Sequence, residues 1–208
     1  MRRSGWFERF GRAHSQLGVM QPTAIPPTLI ELARQGNRDA FDQVARAIGG
    51  RCLAIACRIL RDVDLAEDAV QTALVQAWRE LRSLRDVDRF EPWLHRILVR
   101  ACYAEAKRRR RWSSAIRTLP VDLASERNDI LTVNDRDQLE RAFRRLSVEH
   151  RSVLVLHHHV GLPLPEVADR LGINLGTAKS RLHYATSALR ASLEADARTP
   201  LPKQERSA

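Results

Sequence analysis

Between Leu175 and Leu189, apolar residues recur at Leu175, Ala178, Leu182, Ala185 and Leu189, spaced three and four apart in turn. That spacing lines one side of a helix. At about 100° per residue, Thr177, Ser180, His183 and Tyr184 fall on the opposite side, with Lys179 and Arg181 on the flanks. Small hydroxyls let a helix approach base edges in a DNA major groove, and flanking cations meet phosphates on either side. A face turned merely to solvent commonly carries Glu or Asp, and residues 172–193 contain neither.

A second helix, after Glu91, carries Leu94, Ile97, Leu98, Ala101 and Ala104 on one side and Arg96, Arg100, Tyr103, Lys107 and Arg110 on the other. The run from Lys107 to Arg111 continues the charge. A stripe of one sign repels itself along the helix, and a polyanion removes that cost. Phe90 and Trp93 stand at its head, where aromatic rings serve either as core packing or as stacking surfaces for an unpaired base.

No chemistry of bond-making is written into the chain: there is no Ser/His/Asp set, no phosphate loop, and no cofactor motif. His157, His158 and His159 are adjacent, so on a helix they point about 100° apart, whereas a chelating pair needs a spacing of three or four. They read as the exposed or phosphate-facing end of a helix. Cys52, Cys57 and Cys102 form neither a CxxC nor an even framework, which predicts reduced, packed thiols. Catalytic, cofactor and metal residues are therefore assigned to none.

The elements that must hold these faces follow from composition and periodicity. With 208 residues, of which 44% are hydrophobic, the chain has enough apolar material for one or two domains. The net charge of +10 favours an acidic partner, either nucleic acid or an anionic membrane surface. No apolar run suits a secretory signal or a membrane span, so no stable membrane insertion is expected and the place of action is expected to be the cytoplasm.

Residues 1–25 read as a disordered extension. From 26 to 112 the pattern is helical. One helix covers Thr28 to Gln35, and the next starts near Asn37 with a bend or break at Gly49-Gly50. The clearest amphipathic helix runs through "DLAEDAVQTALVQAWREL", where Asp64 and Glu67 make a capping-box-like start. The last helix runs from about Glu91 to Arg111. Residues 113–132, with Ser113, Ser114, Pro120, Ser125 and Asn128, read as a linker. Residues 133–194 are helical again: Pro163 to Leu171 is a short helix, Gly172 a tight corner, and a second helix starts near Leu175, which is the plan of a helix-turn-helix. Residues 195–208 read as a disordered tail. The expected fold class is all-α, two small helical domains on a flexible linker.

Taken in order, "DLAEDAVQTALVQAWREL", "FEPWLHRI", the basic run, the linker and "LSVEHRSVLVLHHHVGLPLPEVADRLGINLGTAKSRLHYATSALR" resemble the extracytoplasmic-function sigma factors of the bacterial sigma-70 family, over about residues 27–193. The resemblance implies a transcription initiation factor that binds core RNA polymerase and promoter DNA, often held by an anti-sigma factor. It implies core-polymerase contacts at Asp64, Glu67, Asp68 and Gln71. It implies melting of the minus-ten element by the turn from Ser83 through Asp88 and Arg89, together with Phe90, Trp93 and the stripe Arg96, Arg100, Tyr103, Lys107 and Arg110. Reading of the minus-thirty-five element would fall to Thr177, Lys179, Ser180, Arg181, His183 and Tyr184. Arg100 and Ala104 replace a frequent Asn and Asp, and Tyr184 and Thr186 stand where many members carry Arg, so promoter choice is expected to differ. A free-standing helix-turn-helix regulator explains the second domain but leaves the acidic helix, the stripe and the linker unused.

Overall fold

The computed structural model describes residues 25–117 and 141–197. The expectations for residues 1–24, for most of the linker and for the end of the tail lie outside them. Every described element is helical.

Helix α1, Pro27–Arg34, begins with proline in its first turn, where the missing N–H costs nothing, and buries Ile30 and Ala33. It stops at Gly36, whose φ of +99° is a left-handed conformation. A side chain there would also meet the Arg82 guanidinium at 2.9 Å, so glycine supplies both the angle and the room. Helix α2, Arg38–Leu60, is capped by Asn37, whose side chain accepts from the Ala40 N–H at 3.0 Å.

The bend expected at Gly49-Gly50 does not occur, and α2 is continuous through both glycines. Each glycine costs about 1 kcal/mol relative to alanine in a helix. Buried Ile48, Cys52 and Leu53 on either side supply tertiary packing that outweighs this local preference. The helix ends at Arg61, whose φ of 58° is unusual for a side-chain-bearing residue and turns the chain sharply into the next helix.

Helix α3, Val63–Glu80, lays an alanine-rich face, Ala66, Ala69, Ala73 and Ala77, against α2 and the following helix. Its cap is Asp62, which accepts from the Leu65 N–H at 3.0 Å; the start lies ahead of the Asp64 and Glu67 pair expected to form it. Two short 3-10 turns, Leu81–Ser83 and Val87–Arg89, lead into α4, Phe90–Arg117. This helix passes the expected end at Arg111 and carries the basic run onward as helix.

In the second domain, helical residues 141–145 precede α5, Val148–Leu154, capped by Ser147. A π-helical turn, Val155–His159, follows, then α6, Leu164–Leu171, and α7, Leu175–Ala197. The corner between α6 and α7 is made by Gly172 at φ 64°, with buried Ala168 beneath it. Helix α7 passes beyond Leu193, so the expected tail begins inside it.

The two domains are docked. Helix α2 meets α5 and the π turn, and α4 meets α5 and α6. One apolar cluster runs from Ile30 through the first domain into Val148, Val153, Val155, Leu156 and Val167 of the second. Among the described residues, the second domain keeps only a small cluster of its own around Leu146, Leu154 and Ala185.

Candidate nucleic-acid interface

On α7, Ala178 and Ala185 are fully buried and Leu182 and Leu189 half-buried, which fixes the inner side of the helix. Leu175, expected in the same seam, is 39% exposed at the first position of the helix. Lys179, Ser180, His183 and Tyr184 are exposed, and Thr177 is half-buried. Asn174 caps the helix by accepting from the Thr177 N–H at 2.7 Å, and Ser180 Oγ donates back to the Thr177 carbonyl at 3.0 Å. The Tyr184 ring, 60% exposed, stacks on His150 of α5 with centroids 4.6 Å apart and planes 28° from parallel. Burial, then the cation Arg181, hold the His150 imidazole below its ordinary pKa. Arg181 is half-buried and lies near Glu149 as well as His150, on the side turned toward α4.

The stripe on α4 is divided. Arg100, Lys107 and Arg110 are exposed, and beyond them Trp112 is 71% exposed. Arg96 is half-buried in an ion pair with Asp169 of α6. Tyr103 is half-buried beside Ser152 of α5, and burial raises the pKa of its hydroxyl. That hydroxyl is buried without a hydrogen-bond partner, and Ser152 Oγ donates to the Val148 carbonyl at 2.8 Å. Part of the surface expected to face nucleic acid thus faces the other domain.

At the head of α4, Phe90 is 2% exposed and sits in the core, its ring 5.9 Å from half-buried Trp93. Packing is the role this geometry gives Phe90, leaving Trp93 as the ring with an accessible edge. Ser83, Asp88 and Arg89 are exposed on the two short turns; Ser83 Oγ donates to the Glu80 carbonyl at 2.7 Å, and Asp86 accepts from the Asp88 N–H at 3.0 Å.

On α3, Asp64, Asp68 and Gln71 are exposed and Glu67 half-buried. This acidic end lies against the basic end of α4: Arg108 pairs with Asp68 at 3.0 Å and Arg109 with Asp62 at 2.7 Å. His157 to His159 fall on the π turn, where His157 Nδ1 meets the Leu162 carbonyl at 2.8 Å and the other two rings are exposed. Among the described residues no group of three His, Cys, Asp or Glu gathers as for a metal, and no helix is long and apolar enough to cross a membrane.

Sequence reasoning missed the residues that join the domains. Arg170 of α6, buried, donates from Nη1 to Nδ1 of buried His95 on α4 at 2.9 Å and from Nη2 to Glu166 at 3.1 Å. Burial, and then the adjacent Arg170 charge, push the His95 imidazole down to about 4. Its one visible signal was a histidine on the otherwise apolar side of α4.

Family models place this arrangement. Residues 44–112 match sigma-70 region 2, and residues 136–189 match sigma-70 region 4. The chain is 34% identical over 143 residues to the ECF RNA polymerase sigma factor SigL of Mycobacterium tuberculosis, covering 67% of this chain and 80% of SigL. The chain belongs to the ECF sigma factors. SigM of the same organism is 33% identical over 161 residues, covering 74% of this sigma factor and 77% of SigM. Among solved structures, CnrH in complex with the cytosolic domain of CnrY superposes with a TM-score of 0.58 at 27% identity, covering 83% of this sigma factor and 99% of that chain. RpoE in complex with the anti-sigma factor NepR, from Bartonella quintana, gives 0.59 at 25% identity, covering 75% and 98%. The region 2 match spans the α4 stripe and the acidic helix α3, and the region 4 match spans α5 to the outer face of α7. This sigma factor is a promoter-directing transcription initiation factor.

Proposed function

We propose that the two domains divide promoter recognition between them, as region 2-like (26–112) and region 4-like (133–194) units. Helix α7 reads the minus-thirty-five duplex with Thr177, Lys179, Ser180, Arg181, His183 and Tyr184. The turn carrying Ser83, Asp88 and Arg89, with Trp93 and the stripe Arg96, Arg100, Tyr103, Lys107 and Arg110, captures the opened minus-ten strand, and Phe90 supports Trp93 from the core. Asp64, Glu67, Asp68 and Gln71 on α3 dock on core RNA polymerase, which makes the cytoplasm the place of action. No step is covalent. Strand opening is driven by binding energy, through base stacking and phosphate neutralisation.

The observation that carries this reading is the outer face of α7: a serine hydroxyl, an imidazole, a phenol and a lysine stand exposed, with no carboxylate among them. The relatives solved with CnrY and NepR favour a proteinaceous inhibitor for this sigma factor too, an anti-sigma protein that competes with polymerase. Engagement also requires the domains to separate, because Arg96 and Tyr103 cannot lie on a DNA strand while α6 and α5 cover them. The test is run-off transcription by purified core polymerase on a promoter library. Promoter-specific transcripts that appear only with this protein are expected. Duplex binding by the protein alone, with no transcript stimulated, would transfer the reading to a free-standing regulator.

A further inference from the structure

Where α4 passes the start of α5, the two domains enclose a cleft of about 230 Å³. Its floor is apolar at Leu60 and Ala106, and its walls carry Arg109 and Arg110 from α4 and Arg151 from α5. Arg109 is engaged by Asp62. Arg151 is not similarly engaged: it is 8% exposed, and its Nε is buried with no hydrogen-bond partner. Burial, with Arg61 and Arg110 nearby, pulls its guanidinium down to about 10, against a partial counterweight from Glu149.

Glu149 offsets the charge of the cluster only in part. It is half-buried, and burial raises its pKa, but its own backbone N–H, the Ser147 hydroxyl, Arg110 and Arg181 together bring it below the ordinary carboxylate range. Among the described residues neither Arg110 nor Arg151 forms an ion pair. A buried cation with an unused donor is costly unless an acceptor of opposite charge completes it.

We propose that this cleft binds a phosphate-class oxyanion, held between Arg110 and Arg151 across the two domains. Guanidinium forks match phosphate oxygens in paired, charge-assisted bonds, which suits this wall better than a single ammonium would. The volume equals roughly eight waters at about 30 Å³ each, enough for a diphosphate. Two sources share this chemistry, a free oligophosphate and the backbone of a nucleic acid. A free one would have a regulatory consequence. By bridging α4 and α5 it would hold the domains docked and withdraw Arg110 from the stripe, opposing engagement of polymerase.

The experiment is calorimetric titration of the full chain with pyrophosphate at fixed ionic strength, for wild type, Arg151→Gln, Arg110→Gln and Arg111→Gln. Arg111 belongs to the exposed basic run outside the cleft. The first two substitutions are expected to weaken binding about tenfold or more, the loss of one charge-assisted hydrogen bond, while Arg111→Gln stays within about twofold. Equal losses in all three would overturn the proposal and reduce the effect to diffuse attraction by the basic run. So would an absence of binding by the wild-type chain.

Thermal unfolding guards against a folding defect. In chloride buffer Arg151→Leu should unfold no lower than wild type, since it removes an unpartnered buried charge, and pyrophosphate should raise the midpoint of wild type alone. A midpoint raised equally in both proteins counts against the site. If Arg151→Leu fails to fold, Arg110→Gln decides. A short single-stranded oligonucleotide is the second arm. Displacement of pyrophosphate, with the same dependence on Arg151, upholds the cleft with a nucleic-acid source, and no displacement upholds it with a free one.

Discussion

Nη1 of Arg170 donates to Nδ1 of His95 at 2.9 Å, joining α6 to α4 across the boundary between the domains. A guanidinium has no lone pair to offer, so the imidazole in this contact is neutral, with its proton on Nε2. Protonation would place two cations against each other in a buried site. The contact therefore holds only while His95 remains uncharged.

Docking should weaken in acid. The folded His95 imidazole sits at about 4, against 6.5 ordinarily, so between these values the unfolded chain binds more protons than the folded one. The contribution is fully present above about pH 6.5 and is lost as pH falls toward 4; complete loss is on the order of 3 kcal/mol. Urea unfolding at pH 7 and pH 4.5 measures it, with His95→Gln as reference, since glutamine keeps an acceptor for Arg170 but does not titrate. Wild type should lose more stability than the variant over this range, and parallel losses would remove His95 from the account.

The two inter-domain contacts should differ in weight. The Arg96–Asp169 pair is substantially exposed, and such pairs contribute about 0–1 kcal/mol. Arg170 is 9% exposed, and its removal strands the buried His95 acceptor at about 1–3 kcal/mol, while exposed Glu166 returns to water. Chemical denaturation of Asp169→Ala and Arg170→Ala compares them, and small-angle scattering reports whether the domains part. Equal costs would mean that the apolar contact alone does the holding.

Charge reversal on α3 tests the polymerase assignment. Glu67→Lys combined with Asp68→Lys should raise the dissociation constant for core polymerase about tenfold, or about 1.4 kcal/mol. Asp68 also pairs with Arg108, so Arg108→Ala is needed alongside to show that losing this ion pair has no such effect. Titration of a fluorescently labelled chain with core enzyme gives the constants, and an unchanged value for the double variant would strike α3 from the interface.

On α7, Arg181→Ala should cost about 1–3 kcal/mol in promoter affinity and relax sequence choice at one position if the side chain meets a base edge. A loss shared by all sequences would make it a phosphate contact. Tyr184→Arg breaks the stack on His150 and adds a cation to an exposed site, so the salt dependence of binding should steepen by about one phosphate contact. Binding to a promoter library at two salt concentrations separates these outcomes.

Local rules carried much of the fold. Gly172 marked the helix-turn-helix corner because it falls between two helical patterns, where a left-handed turn ends the first helix. The outer face of α7 was legible for a similar reason, since buried Ala178 and Ala185 fix its direction. The reading failed where distant packing overrides local preference. Gly49-Gly50 looked like a break, but α2 is held straight by the core on either side of it. Asp62 was passed over as a cap because the acidic pair just after it matched a familiar pattern. The stripe on α4 was read whole, although Arg96 and Tyr103 are shared with the second domain. Asp169 and Arg170 lie 73 and 75 residues from the side chains they hold, and nothing local distinguishes them from ordinary helical polar residues.

The small private core of the second domain has a cost for the cell as well as for the fold. Val148, Val155, Leu156 and Val167 complete their burial within a cluster shared with the first domain, so a chain that opens in solution bares a sticky surface. An opened copy must soon find a substitute surface or close again, and otherwise it is exposed to aggregation and proteolysis. Turnover would thereby be tied to partner supply, with surplus copies the first to be cleared.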